Sequence, residues 1–279
     1  MEIREPKIRR DEILILDESA FRPEHVCIVT GCSTGIGRAT SVAAAANGLT
    51  VVGLDVNEAE AQKTVELAQE MGGTMHFVGA DLLQDGDIES GVAQAASKGT
   101  VKYLCNIAGT QHINSVEEFP MEVYDRMQRL MLRAPFYLSK LVLPLMRQSS
   151  DGCGAIGNMA SVHAHITTRN KPVYNIVKFG LRGLSQSIAA EGEGRIRSFT
   201  VSTGFVKTPL ALNQIPEQAK QRGISQEEVV RDVMMGTSRV KEMMSPIEVA
   251  NLFLFGFSRH ASYLVGGDLL FDGGMVLTY

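Results

Sequence analysis

Tyr174 and Lys178 stand four residues apart in Tyr174-Asn175-Ile176-Val177-Lys178, a separation that puts two side chains on one face of a helix. A phenol of ordinary pKa ~10 is a poor base near neutrality, and a neighbouring ammonium stabilises the phenolate and lowers that value. The pair is therefore a candidate acid/base. Ser161, upstream at the end of an apolar run, can hydrogen-bond a substrate oxygen and hold it beside the phenol. Tyr and Lys at this spacing also arise by chance in many helices, so the set gains its weight from a second motif. Thr30-Gly31-Cys32-Ser33-Thr34-Gly35-Ile36-Gly37 follows another apolar run and opens a stretch of small residues, Arg38 to Asn47. Glycines here let the backbone turn sharply and approach a pyrophosphate, while N–H groups and the positive helix end attract its charge. Asp55, closing the next apolar run, can accept from both hydroxyls of an adenosine ribose and would repel a 2′-phosphate. Thr34 offers no positive charge to offset that repulsion, so NAD is expected rather than NADP. Asp81 and Leu82 close a third run and can meet the adenine ring, although an Asp opening a loop also serves turn geometry.

These residues need elements to hold them. Short β-branched runs alternate with long amphipathic stretches, the pattern of buried parallel strands with crossover helices. Strands are predicted near 25–30, 50–55, 75–80, 101–106, 154–159, 196–202 and 264–271. Helices are predicted near 35–47, 58–71, 85–98, 117–148, 173–191 and 246–258, with an irregular, largely helical stretch at 209–244. The expected fold is α/β: a doubly wound, seven-stranded parallel sheet of the Rossmann type in a single domain at 23–279. Residues 1–22 form an extension, read as an arm packed on its own domain or on a neighbouring subunit. The Met-, Gln- and Glu-rich 209–244 stretch falls where open α/β sheets place their ligand crevice, and is expected to act as a lid over substrate.

Bulk properties narrow the function. With 279 residues, 44% hydrophobic and 21% charged, the chain can bury one large core. A net charge of -4 supplies no basic field for phosphate backbones, which argues against nucleic acid or an anionic membrane as partner. No apolar stretch approaches the ~18 residues of a spanning helix. The run Ile13 to Leu16 is too short for a signal-peptide core. Cys27, Cys32, Cys105 and Cys153 show neither disulfide nor metal spacing, and a cytoplasmic location is expected. His76, His112 and His165 add no metal constellation, so no metal is expected.

With these motifs in hand, the chain resembles the short-chain dehydrogenase/reductase family over residues ~25–279, nearly the whole domain by size. The family's TGxxxGxG loop matches Thr30 to Gly37, its NNAG segment appears as Cys105-Asn106-Ile107-Ala108-Gly109, and its Ser and YxxxK appear as Ser161, Tyr174 and Lys178. The resemblance implies cofactor contacts from Gly31, Ser33, Thr34, Gly35, Ile36, Gly37, Asp55, Asp81, Leu82, Asn106, Ala108, Gly109, Gly204 and Val206. It also implies that Lys178 and Tyr174 meet the nicotinamide ribose, that Thr208 meets the carboxamide, and that the chain forms a homotetramer. Two departures stand out. Met131 occupies the place of a helix Asn that, in the family, helps carry a proton through the Lys, and a thioether cannot hold the relay water in the same way. Thr203 replaces the proline usual before Gly204, and Cys105 and Ile107 alter NNAG.

Four more polar residues, Gln111, His163, Lys171 and Gln214, follow strands or flank Ser161 and could converge on a small carboxylate, the Lys supplying charge and the others orientation. Within the family this set resembles that of the D-3-hydroxybutyrate dehydrogenases. The resemblance implies reversible oxidation of (R)-3-hydroxybutyrate to acetoacetate, with Ser161 and Tyr174 also touching substrate. Two alternatives stay open: a dehydrogenase for another small hydroxy acid, sugar or acyl substrate, and an NAD-binding regulatory or scaffold protein with little turnover.

Overall fold

In the computed structural model, seven strands lie side by side in the order β3-β2-β1-β4-β5-β6-β7, every neighbouring pair parallel. They are β1 His25–Thr30, β2 Thr50–Asp55, β3 Thr74–Gly79, β4 Thr100–Asn106, β5 Gly154–Met159, β6 Ile196–Thr203 and β7 Asp268–Phe271. The structure describes residues 4–277; residues 1–3 of the predicted arm and 278–279 of the predicted domain lie outside the described residues. Strands β1, β2, β4 and β5 are buried along almost their whole length, which is why they read as continuous apolar runs rather than alternating ones, whereas the edge strands β3 and β7 keep exposed or half-buried positions. Helices α1 Gly35–Ala46, α2 Glu58–Glu70 and α10 Pro246–Phe257 pack one face of the sheet. The other face is covered by α3 Asp85–Ala96, α5 Ala134–Gln148 and α6 Pro172–Glu191. Strand order reverses between β1 and β4, and at such a switch point the carboxyl ends of the strands part to leave a crevice.

Three elements differ from the sequence pattern. The last strand is only Asp268–Phe271, because Gly266 takes a positive φ of 75° and holds 264–267 in a turn. The predicted 117–148 helix begins at Met121 as α4, Met121–Gln128, and runs into α5 through a π-helical turn, Arg129–Arg133. There the N–H of Ala134 reaches Arg129 O, five residues back. Pro135 explains the widened turn, since it has no N–H to give the carbonyl of Met131 four residues earlier. The 209–244 stretch folds as α7 Pro209–Leu212, α8 Ile215–Arg222, α9 Gln226–Glu228 and a π turn Val229–Met234. Its apolar residues Ile215, Val229, Val230, Met234, Met235 and Met243 bury one another in a small core of their own. A parallel bridge from Val206 to Met244 ties its far end back beside the sheet.

The N-terminal arm lies against the α1/α10 face. Ile13 and Phe21 enter the core there. Leu14 N donates to Asn251 Oδ1 and Leu16 N to Asn47 Oδ1, both at 2.9 Å. Among the described residues no helix is long and apolar enough to cross a membrane.

Candidate active site

Helix α6 starts at Pro172, a residue suited to a first helical position because its missing N–H would have no partner there. The helix carries Tyr174 and Lys178 one above the other, with the ammonium 5.2 Å from the centroid of the Tyr174 ring. Lys178 Nζ donates to Met159 O at 2.6 Å. It is 4% exposed, and burial lowers its pKa to about 8. Burial pushes the Tyr174 phenol up, and its hydrogen bond with Ser161 opposes that rise. Ser161 leaves the end of β5 just before a short 3-10 turn, Val162–Ala164, which brings His163 back over it. His163 Nδ1 lies 3.1 Å from Ser161 Oγ and Nε2 lies 2.9 Å from Thr168 Oγ1. Burial first, then the charges of Lys171 and Lys178, depress His163 to about 4, so this imidazole is neutral at physiological pH. Its ring meets Tyr174 edge-on at 5.4 Å.

One cavity is lined by Gln111, Ser161, His163, Lys171, Tyr174 and Gln214, so the structure brings together the whole predicted substrate set. Gln214 Nε2 donates to Gln111 Oε1 at 3.3 Å and to Leu210 O at 2.6 Å. The amide nitrogen of Gln111 is buried without a partner. Lys171 Nζ lies 5.8 Å from the Phe205 ring centroid, burial lowers its pKa, and among the described residues no carboxylate pairs with it. A buried amide donor without an acceptor and an ammonium without a counterion leave this cavity with two unsatisfied donors. His163 lines the same cavity, and its two ring nitrogens lie against Ser161 and Thr168.

The neighbouring groove is lined by Gly31, Ser33, Thr34, Gly35, Ile36, Gly37, Asp55, Asp81, Leu82, Ala108, Gly109 and Thr208. Gly204, Val206 and Lys178 line the first cavity. Asn106 lines neither: it is buried beneath them, its Nδ2 donating to Asn158 Oδ1 at 2.7 Å. The backbone explains the glycines. Gly31 has a φ of 69°, and a Cβ there would come 2.9 Å from Ala108 Cα; a Cβ on Gly37 would lie 1.9 Å from Gly31 O. Thr30 Oγ1 accepts from Ile107 N at 2.9 Å and Ala108 N at 3.1 Å, which locks the two loops together. Asp55 Oδ2 accepts from Ser33 N and Oδ1 from Asn57 N, each at 3.0 Å. Asp81 Oδ1 likewise accepts from Leu83 N at 3.0 Å. Thr208 Oγ1 caps α7 through Ala211 N at 3.3 Å. A backbone with no room for side chains, running into the first turn of α1 at Ile36 and Gly37, fits a dinucleotide pyrophosphate.

Met131 belongs to this wall. It is 1% exposed, and its sulfur accepts from Thr110 N at 3.4 Å. Sequence reasoning did not find Thr168, Phe205 or the Met159 carbonyl, since nothing in their spacing pairs them with His163, Lys171 and Lys178. Cys32, in the phosphate turn, is packed against Gly53 and burial raises its thiol far above the usual range, so it is an inert filler. Among the described residues no group of three His, Cys, Asp or Glu could hold a metal ion.

The fold and its paired clefts are those of a nucleotide-binding α/β protein, and its family is one of oxidoreductases acting at a carbon that bears a hydroxyl. The chain belongs to the short-chain dehydrogenase/reductase family, whose members typically use a nicotinamide cofactor. The family model described as Enoyl-(Acyl carrier protein) reductase matches residues 31–276. A D-beta-hydroxybutyrate dehydrogenase of Rhizobium meliloti (strain 1021) is 32% identical over 251 residues, covering 88% of this chain and 96% of its own. One from Cupriavidus necator is 31% identical over 252 residues, 89% and 96% of the two chains. A 3-oxoacyl-(acyl-carrier-protein) reductase of Thermotoga maritima is 28% identical over 254 residues, 90% and 98%.

Proposed function

We propose that this protein is an NAD-dependent dehydrogenase interconverting (R)-3-hydroxybutyrate and acetoacetate. The observation that carries the reading is the unsatisfied donor pair, the buried Gln111 amide and the unpaired Lys171 ammonium, in the cavity that also holds Tyr174. A short acid whose carboxylate meets Lys171 and Gln111, with Gln214 steadying the amide, would present its C3 hydroxyl to Ser161 and Tyr174. Bound nicotinamide supplies the hydride acceptor. Ser161, held by His163, orients the hydroxyl, and Tyr174 Oη takes its proton as the C3–H bond breaks. The Lys178 ammonium under the Tyr174 ring stabilises the phenolate form that accepts this proton. Asp55 at the end of β2 supports NAD over a 2′-phosphorylated cofactor. The site residues, the 209–244 segment as a lid carrying Gln214, residues 1–22 as an extension of the 23–279 domain, a homotetramer and a cytoplasmic location all belong to this reading.

Purified protein is expected to form NADH from NAD and (R)-3-hydroxybutyrate, with little turnover of the (S)-acid. Tyr174→Phe should lose on the order of 10²-fold or more in rate while still binding NAD by calorimetry. Turnover of a different hydroxy acid, sugar or acyl thioester in preference to (R)-3-hydroxybutyrate would move the assignment to that substrate. Cofactor binding without turnover of any of them would make the chain an NAD-binding regulatory or scaffold protein.

A further inference from the structure

The arm reaches the dinucleotide turn. Helix α1 has Thr34 as its N-cap, and the threonine side chain makes no capping bond. In its place Glu5, from the arm, accepts from Gly35 N at 3.0 Å. The contact is held from a distance. Ile13 is 6% exposed in the core, Asn47 Nδ2 donates back to Leu14 O at 3.0 Å, and Asn251 Nδ2 donates to Glu12 O at 2.9 Å. Arg10 bonds the carbonyl of Met71 after α2. Arg38, the guanidinium that faces Glu5, is already committed: it donates to Glu60 Oε2 at 2.6 Å and to Thr64 Oγ1 at 3.1 Å, while Lys63 also pairs with Glu60, at 2.5 Å. Glu5 is half-buried, so its charge is less screened by solvent than that of an exposed arm residue.

Two carboxylates therefore grip alternate amides of one turn. Asp55 holds Ser33 N and Glu5 holds Gly35 N, both at 3.0 Å, with Thr34 between them. A ribose bound by Asp55 would direct a 2′-phosphate at this stretch of backbone, where two of the amides, Ser33 N and Gly35 N, are already held by carboxylates. The positive end of α1, the usual attraction for phosphate, is faced by the Glu5 charge. We propose that Glu5 is a specificity-determining residue for the cofactor: the arm delivers a second carboxylate that discriminates against a 2′-phosphorylated dinucleotide, so that selectivity does not rest on Asp55 alone. The proposal rests on the dinucleotide part of the functional reading and is independent of the substrate.

Glu5→Gln keeps an oxygen for Gly35 N–H and removes only the charge. Isothermal calorimetry on the full chain with NAD and with NADP reads the result without turnover. A 2′-phosphate adds about two negative charges, and at ~8 Å in a dielectric close to that of water its repulsion by one carboxylate is worth roughly a five- to tenfold change in binding. The Kd for NADP is expected to fall by about that factor relative to the Kd for NAD, with the difference shrinking in high salt. A variant lacking residues 2–5 should show the same shift. An unchanged NADP/NAD ratio in both variants overturns the proposal. Equal tightening for both cofactors also overturns it, since Glu5 would then be competing for the shared diphosphate. If neither dinucleotide binds the wild type or the variants, the dinucleotide reading itself falls.

Discussion

Met131 Sδ and the backbone nitrogen of Thr110 are joined by a hydrogen bond of 3.4 Å, which fastens the π turn before α5 to the loop after β4. The same sulfur would lie 3.3 Å from a Cβ on Gly109, so the thioether fills the space under that loop as well as accepting from it. Truncation of a large buried side chain leaves a cavity. Met131→Ala is expected to destabilise the fold by about 2–5 kcal/mol, and Met131→Leu, which keeps the volume and loses the acceptor, by under about 1.5 kcal/mol. Urea denaturation of the two variants checks the order, and equal losses would show that packing is not the main role of Met131.

Lys178 combines a catalytic assignment with a burial cost. Its folded pKa of about 8 lies below its unfolded value of ~10.4, so between those pH values the unfolded chain binds more protons. Stability therefore gains a rising contribution as pH increases from about 8 to about 10. Lys178→Met should lack that rise while losing turnover. Denaturation midpoints at pH 7.5 and 9.5 for both proteins provide the comparison, and identical pH slopes would contradict it.

His163 shows the same direction of shift at lower pH. Its folded pKa is about 4 against ~6.5 unfolded, so stability is retained above ~6.5 and lost as pH falls towards 4. The loss between pH 7 and 4.5 attributable to this ring is about 2 kcal/mol. His163→Gln removes the titrating group, and its stability should fall less over that interval, as read from urea midpoints at the two pH values. The kcat profile of the wild type should show no inflection from His163 between pH 5 and 8.

Lys171 and Gln111 are expected to act on substrate affinity rather than on the chemical step. Each is a donor to a charged acceptor, and losing one such bond costs roughly 1.5–3 kcal/mol, or about ten- to 150-fold. Lys171→Met and Gln111→Ala should raise KM for the hydroxy acid by that order with kcat and NAD affinity largely kept. A fall in kcat at unchanged KM would place these residues at the reacting carbon instead.

Much of the fold and of the candidate site was legible from local pattern. Tyr174 and Lys178 are one helical turn apart, and the turn from Thr30 to Gly37 is contiguous, so spacing alone carries their geometry. The apolar runs marked the interior strands most sharply, because strands buried on both faces must be apolar throughout, and the partly exposed edge strand β7 came out shorter than its run. The tertiary structure decided what depends on contact between distant segments. Glu5 on Gly35, Gln214 on Gln111 and Met131 on Thr110 join residues from separate elements, and no periodicity relates such positions. The partners of His163 are the partial exception: Ser161 and Thr168 are close in sequence, yet only the 3-10 turn after β5 aims both at the ring. Sequence by itself determined which chemical groups the chain possesses and the local geometry of those one turn apart. The packing of arm, loops and helices over the sheet decided which donors are left without acceptors, since satisfaction of a buried polar group depends on the neighbours that folding brings to it.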